Sequence, residues 1–277
     1  MNSRFLVKVS RYRFWFYTFG PYIIGVVAAA DRLHANVNWW TLIYGLYFLF
    51  PANLLIYGVN DIFDYETDVL NSKKQGYEPL VSKDKHRELW FAVAMTNIPF
   101  ILLSLFLGMA AIPMLGFLLF SIFYSAKPVR AKGVPFLDSA FNILYVFPGI
   151  FGYVLHSGEM PPAILIAAAA CWTAAMHAYS AVPDIDADSN AGVSTIATVL
   201  GKKVTLVICT FLYTISPALA FNWLGYFAVI LGLIYVSLML LSIFVPRRLF
   251  QIYKLFPIVN IAAGAAIFWY TAITRLF

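Results

Sequence analysis

The stretch NDIFDYETD, residues 60–68, places Asp61, Asp64, Glu66 and Asp68 within eight positions at the end of a long apolar run. Asn60, Asp64 and Asp68 recur every fourth residue. On a helix that spacing gives one stripe within roughly 80°, with neighbours about 6 Å apart along the axis. Carboxylates this close repel each other, and a helix C-terminus disfavours negative charge. A cation must therefore compensate them. A second cluster lies in AVPDIDADSNAGVSTIATVLGKK, residues 181–203, where Asp184 and Asp188 are again four apart with Asp186 between them. Two carboxylate pairs with oxygen donors suit Mg²⁺, which takes few carboxylates and completes its shell with waters and substrate phosphates. Basic residues near the same motifs suit the phosphate: Lys127, Arg130 and Lys132 in YSAKPVRAKG, and Lys73 and Lys74 just past the first cluster. The chemistry these residues point to is a diphosphate held through metal ions, its apolar tail entering the membrane below. A single Asp-x-x-x-Asp pair would read equally well as a solvated helix end. Two in equivalent places favour the functional reading.

The elements that must position these groups are membrane helices. Hydrophobic residues make up 62% of the 277-residue chain and charged residues 12%, against about 25% charged in soluble domains. The all-α reading has nine spans, at 14–30, 39–59, 89–108, 110–126, 138–156, 162–182, 204–220, 223–244 and 255–274, each near the roughly 20 apolar residues a bilayer needs. Pro51, Pro99, Pro113, Pro148 and Pro217 fall inside spans and predict kinks. With the N-terminus in the cytoplasm, 17 of the 19 basic residues fall on the inside, Arg32 and Arg275 excepted, as the positive-inside rule requires. The Lys and Arg excess therefore reports orientation, and no nucleic-acid partner is expected. The first acidic cluster follows span two and the second follows span six, so both emerge on the cytoplasmic face. Together they hold seven of the chain's 13 acids. The pattern predicts a single transmembrane domain over 1–277 with a parallel pseudo-repeat: helices 1–4 over 14–126, helices 5–8 over 138–244, and a ninth added.

Other residues have weaker claims. Aromatics form 18% of the chain, and Tyr124 and Tyr145 are candidates to face a carbocation. Asn53 lies seven residues before Asn60 and is expected to line a cavity. His177, on span six, reads first as a packing residue and second as a base. Asp138 reads as an ordinary charge at a helix N-terminus, and Cys171 and Cys209 as small core residues.

At these motifs the sequence resembles the UbiA-type membrane prenyltransferases. NDIFDYETD is similar to that family's first signature, with Asn60, Asp64 and Asp68 in ligand positions. DIDADSNAGVSTIATVLG is similar to the second, with Asp184 and Asp188 as ligands, and YSAKPVRAKG resembles the basic segment between them. The resemblance implies a nine-helix bundle around a central cavity that opens to lipid. It implies Mg²⁺-dependent transfer of an isoprenyl group from an allylic diphosphate to a hydrophobic acceptor lipid. Asp64, Asp68, Asp184 and Asp188 would serve catalysis and, with Asn60, bind metal; Lys127, Arg130, Lys132 and Lys73 would bind the diphosphate. The loop VLNSKKQGYEPLVSKDKHREL lacks the Arg-Pro pair of many quinone-pathway members, which points away from an aromatic acceptor. SRYRFWFYTFGP and NDIFDYETDVLNSKK look more like the carotenoid branch, the lycopene elongases. The acceptor implied is a carotenoid such as lycopene, with a quinone precursor or glycerol-phosphate lipid as alternatives. An ion-coupled transporter is the rival outside enzymology. Its sites tend to lie near the midplane between inverted repeats, whereas these acids sit at helix ends in a parallel repeat.

Overall fold

The computed structural model describes residues 2–30, 38–69 and 79–276. In chain order the helices are α1 (Ser3–Val9), α2 (Phe16–Ala28), α3 (Trp39–Leu49), α4 (Pro51–Phe63), α5 (Tyr65–Asp68), α6 (His86–Ser104), α7 (Ala111–Ser125), α8 (Leu137–Ala140), α9 (Phe147–Ser157), α10 (Ala163–Ala181), α11 (Ile185–Asn190), α12 (Ile196–Leu224), α13 (Tyr226–Phe244) and α14 (Leu249–Leu276). Seven segments among the described residues are long and apolar enough to cross a membrane: Trp39–Phe63, Gly108–Ser125, Leu137–Ser157, Ala163–Asn190, Ile196–Leu224, Tyr226–Phe244 and Pro246–Leu276. The expected spans at 14–30 and 89–108 are helical but are not among the seven. The first is α2, whose 13 residues rise only about 20 Å. The second is α6, whose first turn holds His86, Arg87 and Glu88.

The chain forms two compact units, residues 1–130, 147–160 and 267–277 in one, residues 131–146 and 161–266 in the other. In the first unit, α2 and α9 cross where both are glycine. A Cβ on Gly25 would lie 2.0 Å from the Gly149 carbonyl oxygen, and one on Gly152 would lie 2.4 Å from that of Tyr22. Lipid supplies no hydrophobic drive to bring helices together, so close packing of backbones must do it. Around this crossing Tyr22, Tyr44, Tyr47, Phe48, Phe117 and Phe151 are fully buried. Tyr22 donates its hydroxyl to the Thr41 carbonyl at 2.8 Å, and Tyr44 to that of Phe100 at 2.9 Å. Gly25→Ala is expected to cost about 1–3 kcal/mol by overpacking. Gly20→Ala, which meets no atom within 4 Å, should leave the thermal unfolding midpoint in detergent unchanged or slightly raised.

Pro51 opens the helix that carries the first acidic motif, and its ring breaks the ladder between α3 and α4. Asn53 repairs the break. Its Nδ2 reaches Thr18 Oγ1 at 2.6 Å and the carbonyls of Phe48 and Leu49 at 3.1 and 3.0 Å. Asn97 donates to the Pro51 carbonyl at 3.1 Å. Asn53, expected at a cavity wall, is instead wholly buried. A Pro kink leaves carbonyls that need donors, and the interior offers no water to supply them.

In the second unit α12 packs between α10 and α13. Tyr213 stacks on Tyr235 with ring centroids 4.7 Å apart, and Tyr235 donates to Asn260 Oδ1 at 2.9 Å. Gly232 lets Pro217 of α12 approach, since a Cβ there would lie 2.5 Å from the proline Cγ, while the break in α12 falls at Gly201, φ 72°, ψ 165°.

Candidate active site

The first acidic motif does not form the continuous helical stripe expected of it. Asp64 leaves helical geometry at φ −101°, ψ 4°, and α5 resumes at Tyr65. The fourfold spacing survives the break, because the Asp64 amide donates to the Asn60 carbonyl at 2.9 Å and the Asp68 amide to the Asp64 carbonyl at 2.8 Å. Asn60 donates from Nδ2 to Asp64 Oδ2 and to Ser125 Oγ. With its nitrogen so engaged, Asn60 presents Oδ1 as an acceptor. The Asp64 side chain is 1% exposed, and Arg130 Nη2 stands 3.7 Å from its Oδ1. Arg130 takes a left-handed backbone, φ 45°, and its amide donates to the Ala126 carbonyl at 2.9 Å. This turn after α7 aims the guanidinium at the end of α4. Structure thus brings Asn60, Asp64, Ser125 and Arg130 into one cluster.

The neighbouring acids do other work. Asp61 is buried and receives Arg11 Nη2 at 3.1 Å, while the Arg11 guanidinium lies 4.6 Å over the Tyr57 ring. Asp61 therefore anchors the segment that follows α1 onto α4. Glu66 is exposed and pairs with Lys83. Its hydrogen bond, and then its charge, raise the Lys83 pKa above the usual lysine value. Asp68 is half-buried.

In the second unit the other motif repeats the same local geometry. Asp184 sits at φ −100°, ψ 4°, within a degree of Asp64 in each angle. Here α10 gives way to a 3₁₀ turn, Val182–Asp184, and then to α11. Asp184 and Asp188 are half-buried and Asp186 is exposed. The Asp188 carbonyl accepts the Val193 amide at 2.9 Å, and Gly192, at φ 68°, turns the chain toward α12. Thr195 then opens α12 with a reciprocal capping box to Thr198.

Asp138 is the residue that sequence reasoning undervalued. It stands in the first turn of α8, as expected of a helix N-terminal charge, but it is wholly buried. Its Oδ1 accepts the Ser139 amide and its Oδ2 the Ile196 amide, each at 2.8 Å. His177 Nε2 lies 3.9 Å from the same Oδ2. Asp138 thus caps α12 from 58 residues away and fixes the start of the helix against which α11 packs.

The donors on both motifs are oxygens. Among the described residues no three His, Cys, Asp or Glu side chains gather as a ready cage. Oxygen donors of this kind suit Mg²⁺, which draws on one or two carboxylates and leaves the rest of its shell to water and phosphate. Of the remaining expected residues, Lys127 is exposed, Lys132 is half-buried in the turn Ala131–Gly133, and Tyr124 and Tyr145 are half-buried. Lys73 and Lys74 lie outside the described residues.

A family model described as the UbiA prenyltransferase family matches residues 18–273. The chain is 34% identical over 260 residues to a lycopene elongase/hydratase of Haloarcula japonica, covering 94% of this chain and 88% of that one. It is 39% identical over 218 residues to the lycopene elongase/hydratase of Haloferax volcanii, covering 78% and 71%. The fold is shared with a UbiA homolog from Archaeoglobus fulgidus. The structure of that protein bound to GPP and Mg²⁺ superposes with a TM-score of 0.71 at 20% identity, over 95% of this chain and 99% of its own. The structure bound to DMAPP and Mg²⁺ gives 0.70 at 19% identity, over 95% and 98%.

Proposed function

The chain belongs to the UbiA prenyltransferase family, and from that premise we propose that it transfers a short isoprenyl group from an allylic diphosphate to a carotenoid such as lycopene. It is an integral membrane prenyltransferase. The observation that carries the acceptor is its 34% identity to a lycopene elongase/hydratase over nearly the whole of both chains. In this reading nine helices cross the bilayer, including α2 and α6, with the N-terminus and both acidic motifs on the cytoplasmic side. The charge alternation of the sequence supports that orientation, and the matching dihedrals of Asp64 and Asp184 support the parallel duplication.

Each residue then has a role. Asn60, Asp64 and Asp68 from one motif, and Asp184 and Asp188 from the other, hold Mg²⁺. When bound, Mg²⁺ supplies neutralising charge for the departing diphosphate. Arg130, Lys127, Lys132 and Lys73 grip the phosphate oxygens and stabilise the negative charge that builds as the carbon–oxygen bond breaks. Tyr124 and Tyr145 offer ring faces to the allylic cation. The membrane-embedded walls keep water from it until an acceptor double bond attacks.

The test is product identity. Membranes holding the protein are incubated with Mg²⁺ and dimethylallyl diphosphate, with lycopene, an aromatic acid and a glycerol-phosphate lipid offered together. Mass spectrometry should find lycopene extended by a five-carbon unit. Prenylation of the aromatic acid or the glycerol-phosphate lipid, with lycopene unchanged, overturns the acceptor assignment.

A further inference from the structure

We propose that Arg130 serves as a built-in counter-ion of the first acidic motif, holding Asp64 until a diphosphate draws it away, so that metal and donor load together rather than metal alone. The inference rests on reading Asp64 as a metal ligand and Arg130 as a phosphate-binding residue.

The two oxygens of Asp64 meet different partners, one a hydrogen bond and the other an ion pair. Oδ2 takes the Asn60 amide, and Oδ1 faces Arg130 Nη2 at 3.7 Å. One turn earlier, Asp61 is paired with Arg11 at 3.1 Å. Each of the two buried acids at the end of α4 thus has a guanidinium group beside it. A bare divalent cation approaching Asp64 meets a positive charge 3.7 Å from the oxygen it needs, and the repulsion weakens its binding. A diphosphate changes the balance. It offers the guanidinium paired oxygens in the geometry a fork of N–H donors fits best, and once Arg130 turns to it, Asp64 is released for the metal that accompanies it.

The local structure allows such a change of partner. The Asp64 side chain is 1% exposed and fixed, whereas that of Arg130 is 40% exposed and open to an incoming anion. The Arg130 backbone is pinned by its own amide to the Ala126 carbonyl, so the side chain can swing while the turn keeps its shape.

The prediction has two signs. The full-length protein, its Arg130→Gln variant and its Arg130→Lys variant are purified in detergent and titrated with Mn²⁺ alone, read by electron paramagnetic resonance. They are then titrated with inorganic pyrophosphate in excess Mg²⁺, read by calorimetry. Arg130→Gln should bind Mn²⁺ about two- to fivefold more tightly, the scale of a half-exposed ion pair. It should bind Mg²⁺-pyrophosphate several-fold more weakly. Arg130→Lys, which keeps the charge, should bind Mn²⁺ as the unaltered protein does. If Arg130 were only a phosphate grip, Mn²⁺ affinity would not move; if it only held the fold, both affinities would fall. Either result overturns the inference. Asp64→Asn separates the two layers of the argument. Undiminished Mn²⁺ binding by that variant overturns the metal-ligand reading and the inference together. Weakened binding there, without tightening in Arg130→Gln, overturns the inference alone.

Discussion

Asp64→Ala and Asp184→Ala should each cut prenyl transfer about 10²–10³-fold while leaving the protein folded and inserted, the range seen when one strong electrostatic contact to a developing anion is removed. The reaction separates a carbocation from a diphosphate, and nothing in a bilayer interior favours that separation. The carboxylates matter because they concentrate divalent charge where the leaving group acquires its own. Asp64 and Asp184 occupy the same kinked backbone position in their motifs, so the two losses should be alike in size. Because such groups act as a unit, the double variant should be little worse than either single one. The two differ in what they leave behind. Asp64→Ala strands the Arg130 guanidinium and the Asn60 amide, so a modest loss of thermal stability should accompany it. Asp184 is half-buried at the start of α11, and its loss should cost little. Initial rates of dimethylallyl transfer, normalised to folded protein, decide the matter. Turnover near that of the unaltered enzyme in both variants would refute the metal-site reading.

How much of this was legible in the sequence depends on the range of each interaction. The four-residue spacing of Asn60, Asp64 and Asp68 could be read directly, because the contacts it sets up run from one helical turn to the next. The break at Asp64 could not, since neither glycine nor proline marks it; at the second motif Pro183 does. The pairing of Arg11 with Asp61 joins residues 50 apart, and no local pattern distinguishes Asp61 from the acids around it. Asn53 misled because its position on the stripe of Asn60 suggested an inward-facing wall. The demand it answers, two carbonyls left open by Pro51, appears only once the kink is placed. The span count shows the same limit. Charge alternation argues for nine, yet α2 is only 13 residues long, its start held to Phe16 by the 3₁₀ turn Tyr12–Phe14 and Trp15 before it. Arg130 could be assigned to phosphate by type and segment. That its guanidinium turns back onto Asp64 follows from a left-handed residue that the sequence does not announce.

Asp138 carries the largest stability prediction, and it also shows how the second motif is held. An isolated buried carboxylate is costly, so its persistence means its contacts repay the burial. Two backbone amides point at it, one from Ser139 and one from Ile196. Hydrogen bonds to an ionised acceptor contribute roughly 1.5–3 kcal/mol each, and the positive end of α12 adds to them. Asp138→Ala removes both acceptors at once and leaves the first turn of α12 tied only by the Thr195 box. A loss of about 3–5 kcal/mol is expected. Asp138→Asn keeps one acceptor and turns an amide hydrogen toward the other donor, so it should recover only part of that loss. Asp186→Ala, on the exposed face of α11, should lie within about 0.5 kcal/mol of the unaltered protein. The comparison is made by thermal unfolding in detergent for all three variants. The chain from Gly192 to Ile196 is short, and α11 packs on α12. Loosening the start of α12 should therefore also weaken Mn²⁺ binding at Asp184 and Asp188 in whatever Asp138→Asn remains folded. An Asp138→Ala protein as stable as its parent would mean that the Ile196 amide finds another acceptor, and the cap assigned here would be wrong.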